Sequence, residues 1–328
     1  MNKLIFEKDI HAICENIFTN KSFILIPHIS IDGDDLGCML TLYEALLKLK
    51  KEVFLYSPDS VPENLKFLQG IENLKNEIPF KKFDTAVFLE CSNTERIPSK
   101  VNIKSIAKTT ISIDHHPDNK MFAKLNWINS TASALGEIIY ELLNKLSIKL
   151  TNTMAENLYV AILTDTGGFK YLNTTSRTHE IIAELMKNKI NIAEIYQKIY
   201  EEKSINILKL LGRVLYNIRE KPEIKTIWSI ITMNMMKEEN VNEEDTQIII
   251  EEIKKAKNFE FYILFKEMDR NTVKVSMRSN NFPINILALK YKGGGHQRAA
   301  GCTINDTLEN AQKLILSDLY DLFLQKGF

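Results

Sequence analysis

Three short apolar runs in the first third of the chain each stop at an acid or an imidazole, and this constrains the fold more than any other feature. Thr109-Thr110-Ile111-Ser112-Ile113 ends in Asp114-His115-His116, and Pro117 then forbids a continuing ladder. Phe23-Ile24-Leu25-Ile26-Pro27 runs into His28, with Asp32 and Asp34 just behind it, and Ala86-Val87-Phe88-Leu89 runs into Glu90. Runs this uniformly apolar suit strands covered on both faces, as in a parallel sheet. Groups at the carboxyl ends of such strands collect in one crevice, so the three endings are expected to converge.

The rest of the first half reads as the helices such a sheet needs. Apolar residues recur at helical spacing over 6–18, through about residue 49 after the Asp32-Gly33-Asp34-Asp35 turn, and over 134–146, 155–163, 176–186, 192–200 and 205–218. Residues 52–57 are expected as a strand, and 62–68 as a helix that opens with Pro62 in its first turn. Asp35, nearest the helix start, reads as a cap alone, and His11 as an ordinary packing or surface residue. Arg96 is expected to hold a phosphate or to pair with Glu95, the pair being slightly favoured. Asp165 ends a helix, where an anion is poorly placed unless a cation lies beside it. Lys221-Pro222 marks the expected boundary between domains. Beyond it lie strands at 226–233, 259–266 and 272–277, a helix near 245–256, a short helix at 284–291, and the run Gly293-Gly294-Gly295-His296-Gln297-Arg298. That run is either a flexible turn or, flanked by Lys292, His296 and Arg298, a nest of backbone N–H groups for an anion. The fold class is therefore α/β: an N-terminal parallel-sheet domain with helices on both faces (1–200), a helical linker (201–224), and a smaller α/β domain (225–328), with the active-site cleft expected between the domains.

Charge and composition narrow the function. Lysine plus arginine and aspartate plus glutamate both number 42, so no global positive field exists to hold long nucleic acid. Charge is segregated locally: residues 270–305 carry six basic side chains and no acid, whereas 238–252 carry seven acids. The four cysteines include no Cys-x-x-Cys pair, which excludes a thiolate zinc site, and no apolar run reaches the roughly 20 residues of a membrane helix. A cytoplasmic, unanchored protein is expected, with a homodimer left open. His28, Asp32, Asp34, Glu90, His115 and Asp165 supply oxygen and imidazole ligands suited to Mn²⁺ or Mg²⁺. Four carboxylates exceed the need of one divalent ion. Two ions about 3.5–4 Å apart would balance them and serve phosphoryl hydrolysis.

In order and spacing, His28-x-x-x-Asp32-Gly33-Asp34, Glu90, Asp114-His115-His116 and Asp165-Thr166-Gly167 resemble the motifs of the DHH phosphoesterase superfamily. Met277-Arg278-Ser279 and Gly293-Gly294-Gly295-His296 resemble its DHH-associated C-terminal domain. The compact two-domain form is similar to the NrnA/DhhP group, which degrades nanoRNA, pAp and products of cyclic dinucleotide signalling. By position, the resemblance implies that His28 and Asp32 hold one manganese, that Asp34, His115 and Asp165 hold the other, and that Glu90 bridges them, with Mg²⁺ or Co²⁺ as substitutes. It implies that His116 touches the scissile phosphate, that Asp114 orients a histidine, and that Arg278, Ser279 and the Gly293, Gly294, Gly295, His296 loop grip the far phosphate or nucleotide; Arg298, which flanks that loop, is expected to bind substrate with them. Much of the superfamily has aspartate where this chain has Glu90. The extra methylene adds roughly 1.5 Å of reach, so either the strand is set back or Glu90 coordinates differently. The expected activity is hydrolysis of short linear oligonucleotides such as nanoRNA and pApA. Cyclic di-AMP and pAp are rival substrates, and a non-catalytic nucleotide sensor is the reading from another class.

Overall fold

The computed structural model describes residues 2–243, 246 and 248–326, without the side chains of residues 2–8, His296 and 325–326. These fall into two compact units, Met1–Glu202 and Lys203–Phe328.

In the first unit the elements run α1 (Asn2–Thr19), β1 (Ser22–Ile26), α2 (Gly33–Lys48), β2 (Glu52–Tyr56), β3 (Leu74–Lys75), β4 (Phe83–Leu89), β5 (Ala107–Asp114) and β6 (Leu125–Ile128). There follow α3 (Leu135–Lys145), α4 (Asn152–Asp165), α5 (Ser176–Met186) and α6 (Ile192–Tyr196), the last continuing as a π turn through Glu201. The six strands lie in the order β3-β2-β1-β4-β5-β6, all parallel. Strand order reverses between β1 and β4, so the crevice beyond their carboxyl ends is the topological switch point of the sheet. Alternation along the strands sends Phe23, Leu25, Val87, Leu89, Ile111 and Ile113 into the large core with α2, α3 and α4. Ile24, Ile26, Ala86 and Phe88 face the other way, against Ile97, Val101 and Ile106 of the segment after β4, whose helical content is the 3-10 turn Thr94–Arg96. Helices α2 and α4 pack closely because residue 37 is glycine: a Cβ there would lie 2.3 Å from the Asn157 carbonyl oxygen.

The second unit runs α7 (Ile205–Tyr216), β7 (Arg219–Lys221), β8 (Thr226–Ile231), α8 (Met233–Glu238), α9 (Ile249–Ile253), β9 (Phe261–Asp269), β10 (Thr272–Ser279), α10 (Asn285–Lys290), β11 (Gly294–His296), β12 (Ala299–Ile304) and α11 (Leu308–Lys326). Its sheet, β11-β12-β10-β9-β8-β7, is mixed, with β8 and β9 parallel. Phe261, Ile263, Phe265 and Val275 face Leu287 of α10 and Ile315 of α11, while Tyr262 and Leu264 face Leu210 of α7 and Ile249 of α9.

The helix expected at 62–68 is only a 3-10 turn, Glu63–Leu65, with Pro62 at its cap making no side-chain bond and Gly70 left-handed behind it. So short a segment does not recover the cost of nucleating an α-helix. The division falls between Glu202 and Lys203 rather than at Lys221-Pro222, because Ile207, Leu210 and Val214 of α7 enter the core of the second unit. The glycine run, read as a turn or nest, is an edge strand: Gly294 pairs with Gly301 and Gly295 with Ala300. The expected start of the helix near 245, including Asp245, lies outside the described residues, as does the His296 side chain.

Replacing Gly37 by alanine drives a methyl into the Asn157 carbonyl and is expected to destabilise the protein by about 1–3 kcal/mol. At Gly212 in α7 an added Cβ would meet open space, so Gly212→Ala is expected to be neutral or stabilising by up to roughly 1 kcal/mol. Urea unfolding of the two variants distinguishes a packing glycine from an unconstrained one.

Candidate metal centre and substrate-binding groups

The three strand endings do converge. His28 follows β1, Glu90 follows β4, and Asp114, His115 and His116 close β5. Asp34, Glu90, His115 and Asp165 each offer a ligand atom within 4.8 Å of the others, and His28, Asp32 and Glu90 form a second such group. Glu90 belongs to both. It also belongs to a third grouping with His115 and His116. Its backbone is left-handed (φ +54°), which turns the residue after β4 out of the strand direction.

Each member is held by a different part of the chain. Asp32 caps α2, its Oδ1 accepting from the N–H groups of Asp34 and Asp35 at 3.1 Å. Asp34 is buried; its Oδ2 and Oδ1 accept from the N–H groups of Leu135 and Gly136, at 2.5 and 2.9 Å, so it closes the first turn of α3. His28 donates its backbone N–H to Asp35 Oδ2 at 2.8 Å. Its Nδ1 lies 2.6 Å from the Ile29 carbonyl oxygen. A carbonyl only accepts, so Nδ1 carries the proton and Nε2, 3.5 Å from Asp32, is left with an unshared lone pair for a cation. His115 Nε2 lies 3.5 Å from Glu90, 3.6 Å from Asp165 and 4.0 Å from Asp34.

Asp114 differs from the others. Its Oδ1 accepts from the N–H groups of His115 and His116 and, at 2.8 Å, from Nδ1 of the His116 ring, while Oδ2 accepts from Asn119 at 2.6 Å. With its lone pairs so occupied it faces His116 rather than the ligand groups.

The donor set fits divalent metal. Nε2 of His28, Nε2 of His115 and Oε2 of Glu90 are buried without a hydrogen-bond partner. Leaving such atoms unsatisfied is costly; a cation between the imidazoles and carboxylates would satisfy all three. The acids register the same need. Burial, then the charges of Glu90 and Asp165, push the Asp34 carboxyl well up, with His115 opposing. Burial, then Asp32, Asp35 and Asp165, do the same to Glu90. Burial raises Asp165 and carries Asp35 up to about 8, against the opposing pull of His115 and His28 respectively. For Asp32 and Asp114 burial also works against the charge, but for Asp32 the neighbouring His28 and the N–H groups of Asp35 and Asp34, and for Asp114 the hydrogen bonds from His116 and Asn119, outweigh it and hold both below the usual range.

The sequence did not point to Asp35 or Asn119 as members of the site. The cap belongs to Asp32, whereas Asp35 is fully buried beside His28, with Oδ1 lacking a partner. Neighbouring acids in a turn exchange such roles freely, and only the fold decides. Arg96 forms no ion pair with Glu95 among the described residues; the turn that carries it is capped by Asn93, and its carbonyl accepts from Ile29 N–H beside His28.

In the second unit Arg278 is engaged by Glu251, Nε to Oε1 at 2.7 Å. Ser279 is buried, with its hydroxyl donated to the Phe282 carbonyl and its N–H to the Arg298 carbonyl. Gly293 and Gly294 line a cavity of about 800 Å³ with Lys274, Lys290 and Lys292. Arg298 is exposed and makes no ion pair among the described residues.

The acids set the pH dependence of the metal-free protein. Unfolded carboxyls titrate near about 4. Asp34, Asp35, Glu90 and Asp165 keep protons to higher pH when folded. Between there and about 8, the Asp35 value, the folded chain binds more protons than the unfolded one, so stability falls as pH rises. Asp32 and Asp114, being lowered, lose stability as pH falls below about 4. Chelator-treated protein is therefore expected to unfold at lower urea near pH 8 than near pH 5. Saturating Mn²⁺ should reverse that order, because metal binds deprotonated ligands.

Residues 22–162 match the DHH family, N-terminal domain, and residues 225–324 match the DHHA1 domain. The chain is 29% identical over 306 residues to the bifunctional oligoribonuclease and PAP phosphatase NrnA of Bacillus subtilis, covering 92% of this chain and 94% of that protein. It is 27% identical to the protein of the same name from Thermus thermophilus, covering 93% and 91%. The crystal structure of an exopolyphosphatase-related protein from Bacteroides fragilis matches with a TM-score of 0.91 at 26% identity, over 98% of each chain. With both domains matched in order and the four motifs assembled at one crevice, the chain belongs to the DHH superfamily as a two-domain protein, a DHH domain followed by a DHHA1 domain.

Proposed function

We propose that this protein is a two-metal phosphodiesterase that hydrolyses short linear nucleotides, nanoRNA of a few residues and dinucleotides such as pApA, to nucleoside monophosphates. The observation that carries this reading is the pair of ligand groups sharing Glu90, with three buried ligand atoms left unsatisfied between them. The activities in the names of the Bacillus and Thermus relatives, oligoribonuclease and PAP phosphatase, support the substrate class.

In this reading His28 and Asp32 would hold one ion and Asp34, His115 and Asp165 the other, with Glu90 within reach of both groups. Manganese suits the mixture of imidazole and carboxylate, with Mg²⁺ or Co²⁺ as substitutes. Bound there, two divalent ions supply an activated water at neutral pH and neutralise charge on the phosphoryl oxygens. The remaining chemistry falls to the chain. His116 has Nδ1 fixed on Asp114, so Nε2 is the atom free to deliver a proton to the leaving oxygen. Asp114, held below the usual carboxylate range by His116 and Asn119 against its burial, keeps the ring in place. In the second unit, Arg298, Lys274, Lys292 and the backbone of Gly293, Gly294 and Gly295 are the groups that would take a further phosphate, together with Arg278, Ser279 and His296. Equal numbers of acidic and basic residues support a short substrate over long nucleic acid. No helix among the described residues is long and apolar enough to cross a membrane; the cytoplasm is the proposed compartment.

The relatives' second activity makes pAp phosphatase the next reading, followed by cyclic di-AMP hydrolysis. A manganese-supplemented assay of pApA, cyclic di-AMP, pAp and pyrophosphate tests them, with fastest turnover expected on pApA. His116→Ala is expected to lower kcat by about 10²–10⁴ with metal content unchanged. All four substrates surviving while one binds tightly would replace the enzyme with a sensor. Glu90→Gln is expected to cost at least one of two bound ions in a metal titration; undiminished occupancy would remove Glu90 from the ligand set.

A further inference from the structure

Beyond Asp165 the chain reverses through Gly167 and Gly168, both left-handed (φ +57° and +72°). Asn173 then ties the returning segment down, its side-chain amide donating to the carbonyls of Asp165 (3.1 Å) and Ser133 (2.8 Å). This reversal lays Tyr171 over Gly167. A Cβ at residue 167 would lie 2.4 Å from Cζ, 2.5 Å from Cε2 and 2.7 Å from Cε1 of that ring. Three ring atoms at nearly equal distance mean that the glycine backbone faces the plane of the ring. Tyr171 is nonetheless 53% exposed, and Leu172 beside it is 97% exposed.

The neighbourhood extends the aromatic surface. Tyr196 and Tyr200 flank Gly168, with ring centroids 5.0 Å apart. Tyr200 is anchored by its hydroxyl on the Leu163 carbonyl, and Tyr196 is 43% exposed. Lys170 places Nζ 5.5 Å from the centre of the Tyr171 ring and makes no ion pair among the described residues. A lysine is a flexible point charge, so it can leave the ring for a phosphate. Gly167 is two residues from Asp165, so their Cα atoms are no more than about 7 Å apart. An exposed aromatic surface and a cation therefore stand directly beside a cluster of acids that has no use for either in holding metal.

A base and a phosphate attached to each other match that pair of groups. Aromatic rings stack on any nucleobase, whatever its sequence, and exposed tyrosines beside a cation are the usual means of gripping single-stranded nucleotides. We propose that Tyr171, rimmed by Leu172 and Tyr196 and accompanied by Lys170, is the platform on which a nucleobase of the substrate stacks, which selects nucleotides over base-free phosphate esters. This rests on the hydrolytic reading of the Asp165 cluster and adds to it the reason why a metal centre of general phosphoryl chemistry would prefer nucleotides.

The test uses the full chain with Mn²⁺. Tyr171→Leu keeps an apolar side chain over Gly167 but removes the π-face, and Tyr171→Phe restores it. KM for pApA is expected to rise roughly tenfold in the leucine variant and to return toward the wild-type value in the phenylalanine variant. KM for the same dinucleotide lacking both bases should be alike in all three. An unchanged KM for pApA in Tyr171→Leu, or an equal rise on the base-free dimer, overturns the proposal. Binding separates this outcome from failure of the hydrolytic reading. If wild-type protein turns over neither compound, calorimetric titration with adenosine monophosphate and ribose 5-phosphate decides. Weakened binding of the first alone in Tyr171→Leu upholds the platform, and equal effects on both overturn it. A change of oligomeric state in Leu172→Ser, with adenosine monophosphate affinity intact in both Leu172→Ser and Tyr171→Leu, would assign the patch to contact between copies instead.

Discussion

The burial of a cluster of carboxylates is the constraint around which the first unit is arranged. Asp32, Asp34, Asp35, Glu90, Asp114 and Asp165 come together where parallel strands end, and burial first, with the neighbouring acids adding to it, pushes the carboxyls of Asp34, Asp35, Glu90 and Asp165 above the usual range. The fold offsets this one acid at a time. The start of α3 donates to Asp34, the start of α2 to Asp32, and the turn after β5, with Asn119, to Asp114. What those donors leave over, the lone pairs facing His28, His115 and Glu90, defines the space for cations. Pre-organised ligands of this kind need little rearrangement on loading.

Much of this is legible in the sequence because it depends on local pattern. An apolar run that ends in an acid or imidazole states both the strand and the direction of its ligand, and β1, β4 and β5 deliver His28, Glu90 and Asp114 as expected. Periodicity likewise locates α3, α5 and α7. What stays hidden depends on contacts distant in sequence. Nothing near Asp34 announces that its oxygens are claimed by Leu135 and Gly136, and nothing distinguishes Asp32 from Asp35 as the cap before α2 is placed. Strands β3 and β6, of two and four residues, are too short to carry a readable alternation. The glycine run misleads for a physical reason: glycine permits left-handed turns, and it equally permits a second strand to approach as closely as β12 does.

The second unit shows how far charge counting reaches. Members of the basic window at 270–305 differ in availability. Arg278 is committed to Glu251, Lys290 to Asp318, and Lys274 lies 3.6 Å from Glu243, while Arg298 and Lys292 have no such partner among the described residues. The acids of residues 238–252 supply those partners in part through Glu243 and Glu251. Local charge segregation in sequence therefore becomes pairing in space, and only the unpaired remainder is available to an anionic ligand at no cost in broken ion pairs.

Because the Asp34 carboxylate is at once a metal-facing group and the clasp on the first turn of α3, its two duties cannot drift apart. A descendant of this chain that abandoned catalysis could discard Asp165 with little architectural loss, but it would have to rebuild a helix start before discarding Asp34 at α3 or Asp32 at α2. An acid surviving alone at either position, in a relative stripped of its companions, would be a fossil of the lost metal centre rather than a trace of activity.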